Sequence, residues 1–182
     1  MADPAPSATP LERVVLVGFM GAGKSTIGPL LAERLGWTFL DLDTRIEERT
    51  GRRIAELFRD DEESSFRARE HRAAEEAMRE KRLVLAAGGG AFAQPGTREV
   101  LQKQSVTVWL RCDLPTIIAR VPSDGSRPLA TNRAIMQALL GEREPSYQLS
   151  DVVVDTTEGT PEGVVRKVLE KLAARGIRET AR

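Results

Sequence analysis

The sequence predicts an α/β fold with a parallel five-stranded sheet and helices on both faces. Two observations support this class. Short apolar stretches rich in β-branched residues alternate with segments of helical periodicity along the whole chain. The first of these stretches runs directly into a glycine-rich loop and a helix. Because parallel strands need a crossover between them, regular alternation favours a parallel, three-layer arrangement. The sequence alone does not order the strands.

The first strand, Arg13–Val17, leads into residues 18–26, which we call the phosphate loop. These residues fit the pattern Gly, any four residues, Gly-Lys and Ser or Thr, and a helix follows to about Leu35. Backbone N–H groups in such a loop converge on one anion, and the helix N-terminus adds partial positive charge. The alternative is an ordinary glycine turn, but both flanks favour phosphate binding. The motif therefore predicts that a nucleoside triphosphate is bound by Gly21, Ala22, Gly23, Lys24, Ser25 and Thr26. Lys24 would reach the β- and γ-phosphates, and the Ser25 hydroxyl would bind Mg²⁺.

A second short strand, residues 37–40, is followed by Asp41 and Asp43. Ligands of open parallel sheets bind at the carboxyl ends of the strands. Two carboxylates there are well placed for Mg²⁺ and for a substrate hydroxyl, and an extended segment would direct both to the same side. The alternative is that one of them only caps the helix predicted over residues 44–50.

From Ile54 the chain is predicted to be largely helical to Arg82, with a dense charge cluster at residues 66–70. Spacing alone favours a solvated face for this cluster, although Arg67 and Glu70 can pair along it. The third strand, residues 83–87, runs into Gly88, Gly89 and Gly90. Three glycines at this position allow a ligand to approach the backbone closely, whereas the alternative is a flexible turn.

The second half of the chain continues the alternation. Residues 122–128 are turn-forming and carry Arg127, which suits a lid that closes over a nucleotide. The remaining predicted elements are a helix over residues 95–103, a strand over 106–110, a helix capped by Asp113, a helix over 130–140, a connection over 142–147, a strand over 152–154, and a last helix capped by Thr160 and stopped by Gly176. We expect a disordered tail over residues 1–10, one domain over 11–176 with the lid at about 121–133, and a frayed end over 177–182.

Composition narrows the functional classes. The 182 residues include 27 basic and 27 acidic side chains, so the formal net charge is zero, which argues against a nucleic-acid-binding protein. The single cysteine, Cys112, excludes an internal disulfide and a cysteine metal cluster, and the single histidine, His71, is expected on the surface. The sequence lacks a signal peptide and a long apolar run. We therefore expect a cytoplasmic protein without membrane or nucleic-acid partners, and a monomer.

A phosphate loop does not by itself choose between kinase, ATPase and GTPase. The chain has no Asn-Lys-x-Asp segment of the GTP-binding type, and it is too short to carry a motor domain beside the core. A small-molecule kinase is what remains. A nucleotide-dependent binding or regulatory domain is the other class that stays open.

Taken together, the motifs resemble the shikimate kinase family over residues 13–171. The resemblance is carried by the joint order and spacing of the phosphate loop, residues 41–43, 66–70, 87–90 and 127–129, and Arg143 with Tyr147. It implies a P-loop kinase fold with a small lid, ATP and shikimate as substrates, and Mg²⁺ as cofactor. It also implies that the shikimate 3-hydroxyl is phosphorylated, a step of aromatic amino-acid biosynthesis.

The resemblance implies roles for individual residues. Asp43, Arg67, Arg143 and the glycines at 88–90 would hold shikimate, with the arginines on its carboxylate, Asp43 on ring hydroxyls and Glu70 positioning the arginines. Arg is the side chain suited to a planar carboxylate. Arg120 would stack on adenine, Arg127 would lie near the transferred phosphate, and Asp41 would support the Mg²⁺ held by Ser25. Lys24, Asp43 and Arg127 would form the catalytic set.

Two positions depart from the family pattern. Glu62-Glu63 stands where Gly-Glu is usual, and Leu42 stands where a small polar residue is more common. Three alternative functions stay open: a gluconate kinase, which shares the loop and the size; an adenylate-type kinase, which would need a second nucleotide site; and a ligand sensor without turnover.

Overall fold

A computed structural model describes residues 11–121 and 132–180 of the chain. Five parallel strands form one sheet in the order β2-β3-β1-β4-β5, which confirms the predicted fold class. Strands that follow one another in the chain are connected through helices, as parallel pairing requires. The strands are β1 Arg13–Val17, β2 Thr38–Asp41, β3 Leu83–Ala86, β4 Val106–Arg111 and β5 Val152–Asp155.

Eight α-helices and one 3₁₀ turn (Ala91–Ala93) occur in the described part of the chain. The α-helices are α1 Lys24–Leu35, α2 Leu42–Thr50, α3 Ile54–Asp60, α4 Glu63–Ala77, α5 Pro95–Gln102, α6 Leu114–Arg120, α7 Arg133–Tyr147 and α8 Pro161–Ala173. The predicted caps Asp113 and Thr160 accept hydrogen bonds from Thr116 N and Gly163 N. No helix among residues 11–121 and 132–180 is long and apolar enough to cross a membrane.

The central strands determine where the site lies. Every residue of β3 is buried, and β1 is buried from Val14 onwards, because helices cover both faces of the sheet. The chain leaves β1 between β3 on one side and β4 on the other, and this is the switch point at which open α/β sheets bind ligands. The phosphate loop follows β1 there, and the glycines at 88–90 follow the adjacent strand β3.

The stretch from Ile54 to Arg82, predicted to be largely helical, forms two helices, α3 and α4, and the second ends at Ala77. Asp61 and Glu62 have extended backbone between α3 and α4. The carboxylate of Asp61 accepts hydrogen bonds from Arg52 and Arg69, each at 2.9 Å. These partners lie nine and eight positions from Asp61, outside the i, i+3 and i, i+4 spacing of a helix, so helical periodicity alone did not indicate the break.

The helix predicted to end near Leu140 continues to Tyr147 as α7, so residues 142–147 are not a connection. Pro145 lies inside α7 and cannot donate to the carbonyl of Gly141. Gly141 is exposed, so water can hydrate that carbonyl. Arg143 and Tyr147 are buried on the inner side of the same helix, and the packing of the Tyr147 ring favours its continuation.

The region after α8 packs against α1. Ile177 is buried, the Thr180 hydroxyl donates to the carbonyl of Leu35 at 2.6 Å, and Arg34 forms an ion pair with Glu179. These contacts place residues 177–180 against the domain, where the sequence predicted a frayed end. The predicted tail over residues 1–10 and most of the predicted lid, including Arg127, lie outside the described residues.

Candidate functional site

Positive backbone φ angles shape the phosphate loop. Gly18, Gly21 and Gly23 have φ of 143°, 77° and 101°, a region that favours glycine. A Cβ atom on Gly18 would also lie 2.6 Å from the carbonyl oxygen of Leu110. The loop therefore needs glycine for its curvature and for its close approach to β4. Gly23 is the N-cap of α1, so the loop ends at a helix N-terminus, where an anion is favoured.

The side chain of Lys24 folds over this loop. Its Nζ donates to the carbonyl oxygens of Gly18 at 2.8 Å and Phe19 at 3.1 Å. The ammonium group thus lies at the carboxyl end of β1, in the position that the phosphate-loop motif predicts for a lysine that binds phosphate.

Ser25 and Asp41 meet at the start of α2. The Ser25 hydroxyl donates to Asp41 Oδ2 at 2.9 Å, while Asp41 Oδ1 accepts from the backbone N–H of Asp43 at 3.0 Å. Asp41 is therefore the N-cap of α2, and its other oxygen faces the phosphate loop. Asp41 both caps α2 and lies beside Ser25, so its interpretation as a helix cap does not exclude its interpretation as part of a metal site.

The extended segment expected around Asp41 and Asp43 is not present, because α2 begins at Leu42. Asp43 lies in the first helical turn, and its placement relative to Asp41 follows from the helix rather than from strand alternation. Its Oδ1 is directed at the glycines after β3, because a Cβ atom on Gly88 would lie 2.8 Å from it.

The three glycines at 88–90, which we call the glycine loop, each face a charged side chain. A Cβ atom on Gly88 would also lie 2.8 Å from Glu70 Oε1, one on Gly89 would lie 3.2 Å from an Arg143 nitrogen, and one on Gly90 would lie 2.6 Å from an Arg67 nitrogen. None of these glycines has a positive φ. The lack of side chains at these positions therefore lets charged groups approach the backbone closely.

The charged groups around the glycine loop come from three helices. We call Asp43, Arg67, Glu70 and Arg143 the charged cluster; α2 provides the first, α4 the next two and α7 the last. Their separation along the chain reaches 100 positions, but the fold brings them to one edge of the sheet beside the phosphate loop. The structure thus brings together the residues that the sequence singled out for the acceptor.

The prediction of a solvated face was wrong for Arg67 and Glu70. Glu70 is 1% exposed, and its Oε2 accepts from Arg67 Nη1 at 2.8 Å. Arg67 also donates to Glu63, and its guanidinium lies 5.8 Å and 5.5 Å from the ring centroids of Phe58 and Phe66. Arg69, which points away from this cluster, remains exposed as expected.

Burial and charge act against each other at Glu70. Its pKa is raised, chiefly because burial disfavours the charged form, and Asp43 adds repulsion, whereas Arg67 and Arg143 oppose the rise. Arg143 is only 7% exposed and lies 5.8 Å from the ring centroid of Phe19. Two guanidinium groups and two carboxylates therefore share a largely desolvated corner. Guanidinium groups are suited to bind a carboxylate, and the carboxylate of Asp43 can accept a hydrogen bond from a hydroxyl.

Arg120 lies at the end of α6, which adjoins the phosphate loop: a Cβ atom on Gly21 would contact Val121 and Ile117. The guanidinium donates to the carbonyl oxygens of Thr156 at 2.9 Å and Thr157 at 3.4 Å. One side chain therefore connects α6 to the segment after β5.

His71, expected only as a surface residue, is half-buried and lies 3.2 Å from the Thr97 hydroxyl.

Sequence reasoning missed Thr156 as part of this region. Its buried hydroxyl lies 3.1 Å from the carbonyl of Ala22 in the phosphate loop and 3.2 Å from that of Arg111. Thr156 comes directly after β5, so the rule that polar residues at the carboxyl ends of parallel strands gather at one edge could have found it.

The two departures from the family pattern have simple structural positions. Glu62 is the N-cap of α4, with φ −66° and ψ 144°, a conformation that does not need glycine. Leu42 is the first residue of α2 and is completely buried. Neither residue belongs to the charged cluster or to the phosphate loop.

Comparison with known proteins gives one consistent result. The family model described as shikimate kinase matches residues 20–173. A shikimate kinase of Psychrobacter sp. (strain PRwf-1) is 42% identical over 166 residues, which are 89% of this chain and 92% of that protein. A shikimate kinase of Cereibacter sphaeroides is 42% identical over 90% of this chain and 84% of its own length. The solved structure of a shikimate kinase from Acinetobacter baumannii in complex with shikimate superposes with a TM-score of 0.87 at 35% identity and covers 92% of this chain and 96% of that one.

Proposed function

This chain belongs to the shikimate kinase family, and we propose that it transfers the γ-phosphoryl group of ATP to the 3-hydroxyl of shikimate, giving shikimate 3-phosphate and ADP. The observation that carries the proposal is the convergence of the charged cluster on the glycine loop, beside the phosphate loop. Two arginines for a carboxylate and an aspartate for a hydroxyl suit an acid that also carries hydroxyl groups.

The nucleotide side of the reaction is assigned to the phosphate loop. Backbone N–H groups of residues 21–26 and the N-terminus of α1 would hold the phosphates. Lys24 would stabilise the charge on the phosphoryl group in transfer, because a fixed ammonium costs no reorganisation when the reaction occurs. Arg120 is proposed to contact the adenine, and Arg127 to act from the lid; the support for Arg127 is the family resemblance.

The acceptor side is assigned to the charged cluster. Arg67 and Arg143 would hold the carboxylate of shikimate, and the lack of side chains at Gly88, Gly89 and Gly90 lets both arginines approach the loop closely. Asp43 would orient the 3-hydroxyl towards the phosphate loop. Because the transition state of phosphoryl transfer is loose, orientation is expected to contribute more than proton removal.

Mg²⁺ is the proposed cofactor, and the donor set fits it. Mg²⁺ binds through one or two protein oxygens together with phosphates and waters, so a large cluster of acidic residues is not required. Ser25 and Asp41 present a hydroxyl and a carboxylate within 2.9 Å of each other. When bound, the ion would neutralise charge on the phosphates. Ser25 would hold it, and Asp41 would orient Ser25.

Two further proposals concern the protein as a whole: that it is a monomer and that it acts in the cytoplasm. Light scattering of the purified protein tests the first. A coupled ADP-release assay with shikimate, gluconate and AMP tests the function. Among these three acceptors we expect turnover only with shikimate. Comparable turnover with gluconate or AMP would contradict the proposal.

A further inference from the structure

The last turn of α7 contacts the glycine loop through two side chains. Arg143 approaches Gly89, and Tyr147, four residues later on the same helical face, donates its hydroxyl hydrogen to the carbonyl oxygen of Gly89. Gly89 is therefore contacted by two side chains of α7: the guanidinium of Arg143, which is proposed to bind the carboxylate of shikimate, and the phenol of Tyr147.

Tyr147 is held firmly in this position. It is completely buried, and its ring lies 5.9 Å from that of Trp109 between centroids. Burial raises the pKa of Tyr147 to about 12, so the phenol stays protonated and acts as a donor. The bond to Gly89 satisfies a hydroxyl that would be costly to bury unpaired.

The glycine loop depends on contacts from outside itself. Its carbonyls at Gly88 and Gly90 accept from Ala91 N and Ala93 N within the same turn, each at 3.1 Å. The carbonyl of Gly89 is held instead by Tyr147. Within residues 11–121 and 132–180, no hydrogen bond is donated by the backbone N–H of the three glycines. Arg98 adds a second link to α7, because its Nη1 donates to Phe92 O at 3.1 Å and lies 3.4 Å from the Ser146 hydroxyl.

We propose that Tyr147 is a positioning residue for the acceptor: its hydroxyl fixes the Gly89 carbonyl, and so fixes the glycine loop relative to Arg143. The inference rests on the proposed function. The peptide unit between Gly89 and Gly90 is planar, so a Gly89 carbonyl held towards α7 directs the N–H of Gly90 the opposite way. This N–H can then donate a hydrogen bond to shikimate. Without the hydroxyl the loop can rotate, and Arg143 loses its fixed distance from the loop.

Tyr147→Phe tests the proposal, because it removes one oxygen and keeps the ring. Ser105→Ala is the matched control: Ser105 is a buried hydroxyl that donates to the carbonyl of Leu101, far from the site. We expect the KM for shikimate to rise about 3–10-fold in Tyr147→Phe, as for loss of one buried hydrogen bond, with the KM for ATP changed less than about twofold. Ser105→Ala should lower thermal stability without changing either KM.

A double variant separates positioning from a general loss of stability. If Tyr147 acts through Arg143, the two substitutions should not act independently. The fold-increase in the KM for shikimate in Arg143→Lys/Tyr147→Phe should then be smaller than the product of the fold-increases in the two single variants. Independent, multiplying effects would overturn the proposal, as would an equal rise in the KM for ATP. If Tyr147→Phe does not fold at the assay temperature, the KM for shikimate is measured at a lower temperature at which the variant is folded, and an unchanged value there overturns the proposal. Wild-type protein without turnover on shikimate would instead refute the proposed function.

Discussion

Glu70 and Gly88 approach so closely that a methyl group on the glycine would lie 2.8 Å from the Glu70 carboxylate. The same carboxylate accepts a hydrogen bond from Arg67 and is almost completely shielded from water. The buried carboxylate of Glu70 thus lies between the backbone of α4 and the glycine loop, and it orients Arg67. We expect its protonation to influence both protein stability and shikimate binding.

The titration of Glu70 should be visible in stability. Because its pKa is raised in the folded protein, the native state keeps a proton that the unfolded chain has lost. Its contribution to the free energy of unfolding is therefore largest below the ordinary carboxyl pKa of about 4.3 and falls as pH rises through the raised value. Glu70→Gln cannot titrate, so the difference, wild type minus variant, should fall over this window in urea unfolding. A difference that rises with pH would show that the ion pair with Arg67 outweighs burial.

Lys24→Ala should reduce kcat at least about 10²–10³-fold, because the charge opposite the transferred phosphoryl group is removed. It also removes two hydrogen bonds to loop carbonyls, so the circular dichroism spectrum and the melting temperature should be recorded beside the rate. Lys167→Ala, an exposed lysine of α8, is the control and should keep the wild-type rate. Near-normal kcat in folded Lys24→Ala would remove Lys24 from the mechanism.

Arg67→Lys and Arg143→Lys keep the charge but lose the planar fork. Each should weaken shikimate binding by about 1.5–3 kcal/mol, the scale of a charge-assisted hydrogen bond, and leave ATP affinity nearly unchanged. Arg69→Lys is a matched control on α4, where the guanidinium pairs with Asp61 instead. Isothermal titration with each ligand gives the answer, and equal losses for both ligands would indicate a structural role.

Asp43→Asn keeps a hydrogen-bonding side chain but removes the base. If Asp43 orients the hydroxyl, kcat should fall modestly, whereas a general base predicts a loss nearer 10²–10⁴-fold. Asp60→Asn, an exposed carboxylate of α3, serves as the control in the same assay. Wild-type rate and wild-type shikimate KM in both Asp43→Asn and Asp43→Ala would leave Asp43 outside the site.

Asp41→Asn should increase the Mg²⁺ concentration needed for half-maximal rate, because the carboxylate beside Ser25 loses its charge. Since Asn is also a good N-cap, α2 should persist. Asp113→Asn changes the cap of α6 in the same way, away from Ser25, and should leave the Mg²⁺ dependence unchanged. Equal shifts in the two variants would assign the effect to capping.

The sequence by itself determined the fold class, the phosphate loop and the family. The first two follow from local patterns: apolar runs alternating with helical periodicity, and a glycine-lysine-serine motif between a strand and a helix. The family follows from the joint order and spacing of several motifs. The caps Asp113 and Thr160 were equally local, because a cap bonds N–H groups within its own first turn. The fold class, the phosphate loop and the caps thus depended on residues that are neighbours in the chain, whereas the family depended on the order of motifs along it.

Tertiary structure decided the rest, because the deciding contacts join residues distant in sequence. Only the packing of α4 against the glycine loop shows that Arg67 and Glu70 are shielded from water, since charge spacing on a helix is the same whether its face is wet or buried. At the break between α3 and α4, Asp61 accepts hydrogen bonds from Arg52 and Arg69, which lie outside the i, i+3 and i, i+4 spacing that a helical pattern describes. The extension of α7 through Pro145 depends on burying Arg143 and Tyr147 against Gly89, where contacts across the fold outweigh the local preference of proline to end a helix.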